Sequence, residues 1–254
     1  SVTCHNICAP LHEEVVSEDG RVDYTKLKLK RPELRRILNA FARLERARYD
    51  SWPEEDKIAF WINAYNLQLL NIIQQNYPIQ STRVGRLLLG GPKSIRNISG
   101  IWDKYKFIIM DEQFTLSEIE KRIFKQNFTD PRIFLALSRA SVDGPPLRRE
   151  PYTGAKLSEQ LDEQVRRFLS NRRAFRIDRA TGEVYLSALF ERTVYGSEFL
   201  QKYKTEKKFK NQPPAIRAVL NFVSRYVPPR DASFLEVGNY TVKFSKYDWT
   251  VNDN

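Results

Sequence analysis

Residues 59–73 read AFWINAYNLQLLNII. Ile58, Phe60, Trp61, Tyr65, Leu67, Leu69, Leu70, Ile72 and Ile73 surround the helix axis rather than marking one stripe. A helix that is apolar nearly all round is buried, so this segment is expected to run through the core of the fold. Pro53 suits its first turn, Ser51 and Glu54 have capping-box spacing, and Pro78 ends it. Asn63 and Asn66 share one face and lie inside this apolar envelope. Buried amides need hydrogen-bond partners, so they either tie the helix to loop backbone or orient a ligand.

Working outward, RPELRRILNAFARLERARYD (31–50) is read as a helix with Leu34, Ile37, Leu38, Phe41 and Leu44 on one face. KFIIM (106–110) reads as a strand, and TLSEIEKRIFKQ (115–126) as a helix capped by Thr115 and Glu118. RIFLAL (132–137) is expected to be a buried strand, and 156–171 an amphipathic helix. A hairpin turns at Thr181-Gly182, helices follow near 187–204 and 213–226, and NYTVKFSKYDW (239–249) supplies a last strand. The expected class is α+β, a helix-rich single domain with a small, mostly antiparallel sheet. Its body spans 20–254, with 1–19 as an appendage. On this reading a chain beginning at Glu13 still folds.

That appendage holds both cysteines, Cys4 and Cys8, and both histidines, His5 and His12, of the 254 residues. A Cys4–Cys8 disulfide is possible one helical turn apart. Pro10 and the spacing argue against a zinc module, so no metal and no cofactor is expected. No thiolate–imidazole pair can be assembled from residues 13–254.

With 42 Lys+Arg against 31 Asp+Glu, the formal charge is +11. Such a surface can attract an anionic polymer, and peptide or protein partners remain open. Nucleic acid is disfavoured, because no recognition motif for it is present. No apolar run is long enough to span a membrane. Asn97, Asn127 and Asn239 start N-glycosylation triplets. Arg148, Arg149, Arg166 and Arg167 are the candidate anion-binding residues, within an arginine-rich stretch that continues through VRRFLSNRRAFRIDR (165–179).

Several blocks in order resemble a bacterial and plant family known as domain of unknown function 547. They are AFWINAYNLQLLNII, SIRNISGIWD (94–103), LSEIEKRIF (116–124), DPRIFLALSRASVDGPPL (130–147), YTGAKLSEQLDEQVRRFLS (152–170) and KYDWTVN (246–252). The resemblance implies a fold rather than an activity, and an exported location, periplasmic or at the cell surface. Where the family often carries histidine this chain has Phe134, and where it often carries cysteines this chain has Arg139 and Gly144. Lys121 also stands at a frequent histidine.

The candidate polar site is therefore Asn63, Asn66, Glu120, Arg139, Ser141 and Asp143. Glu120 is the expected partner of Arg139, with Asp143 second. A non-catalytic binding or scaffolding role is expected. The competing reading is a hydrolase or transferase built on Glu120, Arg139 and the two amides.

Overall fold

The computed structural model describes residues 4–191 and 197–254, with the side chains of 4, 5, 197 and 198 outside the description. The fold is α+β and helix-rich, with one two-stranded and one three-stranded sheet among these residues. The chain divides into two compact units, 1–160 with 248–254, and 161–247.

The first unit begins with α1 (Cys4–Val15), α2 (Tyr24–Leu29), α3 (Arg31–Ala42) and α4 (Arg46–Asp50). Residues 4–15, read from the sequence as part of an appendage, form a helix whose Cys8, Leu11, His12 and Val15 are buried. The stretch 31–50 is two helices, not one, because the chain breaks at Arg43–Glu45.

The long buried helix is α5 (Glu54–Gln75), and sixteen of its residues from Ile58 to Gln74 are buried. Its start differs from the expected capping box. Pro53 is the N-cap, without a side-chain cap bond, and Ser51 Oγ donates instead to the carbonyl of Arg48 at 2.6 Å. Aromatic rings pack around its first turns. Trp61 lies edge-on to Phe114 with ring centres 5.3 Å apart, and its Nε1 donates to Tyr49 Oη at 2.7 Å. Edge-to-face pairs of this kind add to the stabilisation from burial alone.

Beyond α5 come α6 (Arg83–Leu88), then β1 (Phe107–Ile109) paired antiparallel with β2 (Glu112–Phe114). The short helix α7 (Leu116–Ile119) carries the expected Thr115–Glu118 capping box and widens into a π-helical turn over Glu120–Lys125. The stretch 132–137, expected to be a strand, instead belongs as far as Leu135 to a 3-10 helix, Pro131–Leu135, whose Pro131, Ile133, Phe134 and Leu135 are buried. Asp130 accepts the Arg132 N–H at 3.0 Å and Pro131 opens the turn, so a helical start outcompetes extension. The last residues close this unit through bridges from Thr250 to Ser94, Val251 to Ser141 and Asp253 to Val22.

The helix α8 (Leu157–Ser170) starts in the first unit and continues into the second. There β3 (Phe175–Asp178) and β4 (Glu183–Leu186) form the expected hairpin. The helices α9 (Ser197–Tyr203), α10 (Pro214–Val223) and α11 (Pro229–Val237) follow, and β5 (Thr241–Phe244) pairs parallel with β4. Part of the helix expected near 187–204, residues 192–196, lies outside the described residues. Phe190, Phe199 and Phe222 are buried in this unit, and the last two have ring centres 4.6 Å apart.

Candidate functional site

The two asparagines of α5 make matching brackets. Asn63 Nδ2 donates to the Tyr152 carbonyl at 2.8 Å, and its Oδ1 accepts the Tyr152 N–H at 2.9 Å. Asn66 Nδ2 donates to the Ala136 carbonyl at 3.0 Å, and its Oδ1 accepts the Ser138 N–H at 2.8 Å. An amide offers a donor and an acceptor in the pattern of a peptide group, so each tie satisfies buried backbone as a strand neighbour would. Both amides fasten loop backbone to the core helix.

The loop held by Asn66 carries Arg139. Its Nη2 donates to Glu120 Oε1 at 2.6 Å, and its Nη1 to Tyr65 Oη at 3.3 Å. Tyr65 Oη in turn donates to the same carboxylate oxygen at 3.2 Å. The guanidinium carbon lies 5.2 Å from the ring centre of Trp102. Only 9% of the Arg139 side chain and 18% of Glu120 is exposed. Burial, the largest influence, raises the Tyr65 phenol well above its ordinary range. The tyrosine therefore stays a neutral donor and acceptor between the two charges.

Local backbone fixes this arrangement. Glu120 opens the π-helical turn, while Ala140 has φ +50°. That left-handed conformation is unfavourable for alanine. It is supported by the Ser138 hydroxyl, which accepts the Ala140 N–H at 3.0 Å.

The remaining expected site residues serve other segments. Ser141 is buried and pairs through its backbone with Val251. Asp143 Oδ2 accepts the Asp248 N–H at 2.7 Å. Phe134 is buried in the 3-10 helix, and Lys121 is exposed. Cys8 is buried and disulfide-bonded. The expected partner, Cys4, has its side chain outside the described residues. Among the described residues no group of three or more His, Cys, Asp or Glu is placed to hold a metal ion.

The four expected anion-binding arginines are divided between the two units. Arg148 and Arg149 belong to the first unit, Arg166 and Arg167 to the second. Arg148 Nη2 meets Glu150 at 3.4 Å, and Arg149 Nη2 donates to the Glu13 carbonyl at 3.1 Å. Arg166, in contrast, is exposed and lines a cavity of about 670 Å³ within the second unit.

Arg172, Arg176 and Arg179 line the same cavity, beside Tyr226 and Asp231. Arg166 lies over Tyr226 at 5.8 Å, Arg176 over Tyr185 at 4.0 Å, and Arg179 pairs with Asp231 at 3.0 Å. Arg172 is exposed. Four arginines and one acidic residue, Asp231, line this cavity. Arg167 is not among its lining residues. The cationic cluster was visible in the sequence as the run 165–179, but which of its arginines converge depends on the turn between α8 and β3 and on residues 226–231.

These features define a helix-rich α+β protein with a buried arginine–carboxylate tie in one unit and an arginine-lined cavity in the other. Residues 49–169, somewhat under half of the chain, match the family model described as "Protein of unknown function, DUF547". No curated protein and no solved structure matches the chain.

Proposed function

We propose that this protein is a non-catalytic binding domain for an anionic polymer, and that the cavity of the second unit receives the polymer's charged groups. The carrying observation is the convergence of Arg166, Arg172, Arg176 and Arg179 on one cavity with a single opposing carboxylate, Asp231. Arginine presents a rigid fork of donors that suits phosphate, sulfate and carboxylate. Tyr226 and Tyr185 hold two of these forks in place through cation–π contacts.

The hydrolase or transferase reading needs Glu120 to exchange a proton with a substrate. Its carboxylate is instead engaged by Arg139 and Tyr65, which supports a structural role. An exported location fits a disulfide-bonded Cys8, since such bonds persist in oxidising compartments.

The test is fluorescence anisotropy with labelled polyphosphate and labelled polyglutamate over a salt series. Binding is expected to weaken steeply with salt, because released counterions drive such association. Arg166→Gln with Arg172→Gln should weaken it further, and Asp231→Asn should strengthen it by freeing Arg179. Absence of binding at low salt, or binding indifferent to all three substitutions, would overturn the reading.

A further inference from the structure

The short helix α6 has an unusual surface. Val84 is 64% exposed, Leu87 84% and Leu88 66%. Three neighbouring branched aliphatic side chains therefore stand in water on a helix of six residues. Isolated exposed apolar residues need no explanation, whereas a contiguous group marks an interaction surface.

This exposure is built in, because the opposite side of the helix is fastened down. Thr82 caps it by accepting the Gly85 N–H at 2.9 Å. Gly85 is buried so closely against Asn97 that a Cβ there would lie 2.6 Å from the Asn97 Oδ1. Asn97 Nδ2 in turn donates to the carbonyls of Gly91 at 2.9 Å and Ser94 at 3.0 Å. With Gly85 facing inward, Val84, Leu87 and Leu88 are held outward and cannot turn into the core.

The charged residues of this segment have one sign. Arg83, Arg86, Lys93 and Arg96 are all exposed. The sequence contains no Asp or Glu between Asp56 and Asp103, so no acid within this segment offsets them. Aliphatic side chains that project from a basic rim match the layered chemistry of a bilayer surface. The leucines enter the acyl boundary while the cations meet anionic headgroups. A protein partner would need an apolar pocket ringed by acids, but a bilayer accommodates a convex tip without one.

We infer that α6 and the loop through Arg96 dock this protein peripherally on an anionic lipid surface. Among the described residues no helix is long and apolar enough to cross a membrane, so the contact is one of docking. It is independent of the anion-binding cavity, whose residues belong to the other unit.

The experiment is cosedimentation of the full chain with vesicles of phosphatidylcholine alone and of phosphatidylcholine mixed with phosphatidylglycerol. Binding is expected only to the mixed vesicles. Leu87→Ser with Leu88→Ser should reduce it at least about tenfold, since each burial of a leucine side chain is worth about 1.5 kcal/mol or more. Arg83→Gln and Arg86→Gln should each reduce it about fivefold, from about 1 kcal/mol per cation near such a surface. All four positions are exposed, so an unchanged melting curve verifies that the fold survives. Failure to bind the mixed vesicles, equal binding to both, or binding that survives the leucine substitutions would overturn the inference. So would a concentration-dependent dimer abolished by the same substitutions, which would assign the patch to a second copy of the chain.

Discussion

Arg139 Nη2 and Glu120 Oε1 lie 2.6 Å apart, joining the loop after the 3-10 helix to the π-helical turn that follows α7. Both charges are largely removed from water, and Tyr65 bonds to each. Breaking one half of such a pair strands the other in a poor environment. Arg139→Met should therefore cost about 3–5 kcal/mol in urea unfolding, and Glu120→Gln should also destabilise. Combining the two should cost less than their sum, because no charge is then left behind. Additive losses would show that the pair is not a coupled unit. Arg139→Cys should yield no thiol-dependent turnover, since residues 13–254 contain no histidine to serve as its base.

The second prediction concerns acid. Nδ1 of His12 donates to the Arg148 carbonyl at 3.1 Å, so Nε2 carries the lone pair. That atom is buried without a hydrogen-bond partner. Burial, the larger influence, holds the imidazole below its ordinary value of 6.5, and the bond to Arg148 opposes this only in part. A depressed histidine leaves the unfolded chain binding more protons below pH 6.5. Stability should thus be fully present above that pH and fall as acid is added, by up to about 1.4 kcal/mol per pH unit from this group. The decline ends once the folded protein also takes up the proton. His12→Leu should flatten the slope just below pH 6.5 in a series of chemical melts. An unchanged slope would mean that water reaches Nε2.

The third prediction follows from α1. Leu11 is 1% exposed and Cys8 is fully buried. Leu11→Ala should cost about 2–5 kcal/mol by urea melts, as for other buried leucines. A chain beginning at Glu13 lacks Cys8, Leu11 and His12 altogether and should be less stable still. A loss below about 0.5 kcal/mol for Leu11→Ala, within the range of surface substitutions, would restore the view of this segment as an appendage.

That segment shows why parts of the fold were hard to read. Residues 1–19, with all the Cys and His, read as an appendage, but Cys8, Leu11 and Val15 follow helical spacing and all are buried. Pro10 lies within the helix, so proline alone did not mark its end. The run 132–137 misled differently. A short continuous apolar stretch fits a buried strand or a buried helical turn equally well by periodicity. The deciding signals were Asp130 and Pro131, a cap and a first-turn residue. By contrast α5 was legible, because its length and all-round apolar character admit little else. Asn63 and Asn66 were legible as buried amides, and the Arg139–Glu120 pairing followed from a charge that needs an acceptor. Tyr65, the third member, was hidden as one more core aromatic. The arginine cavity required knowing which side chains the second unit brings together, and spacing along the chain does not carry that.

Anions are expected to meet the arginines of the second unit, with Arg139 closed to them. Titration of polyphosphate into the isotope-labelled protein, read on the arginine Nε–Hε resonances by NMR, tests both halves at once. Saturable shifts are expected for Arg166, Arg172, Arg176 and Arg179, reversed by salt, while Arg139 stays still. Movement of Arg139 with the cavity resonances unchanged would contradict this expectation and point back to the Glu120 site.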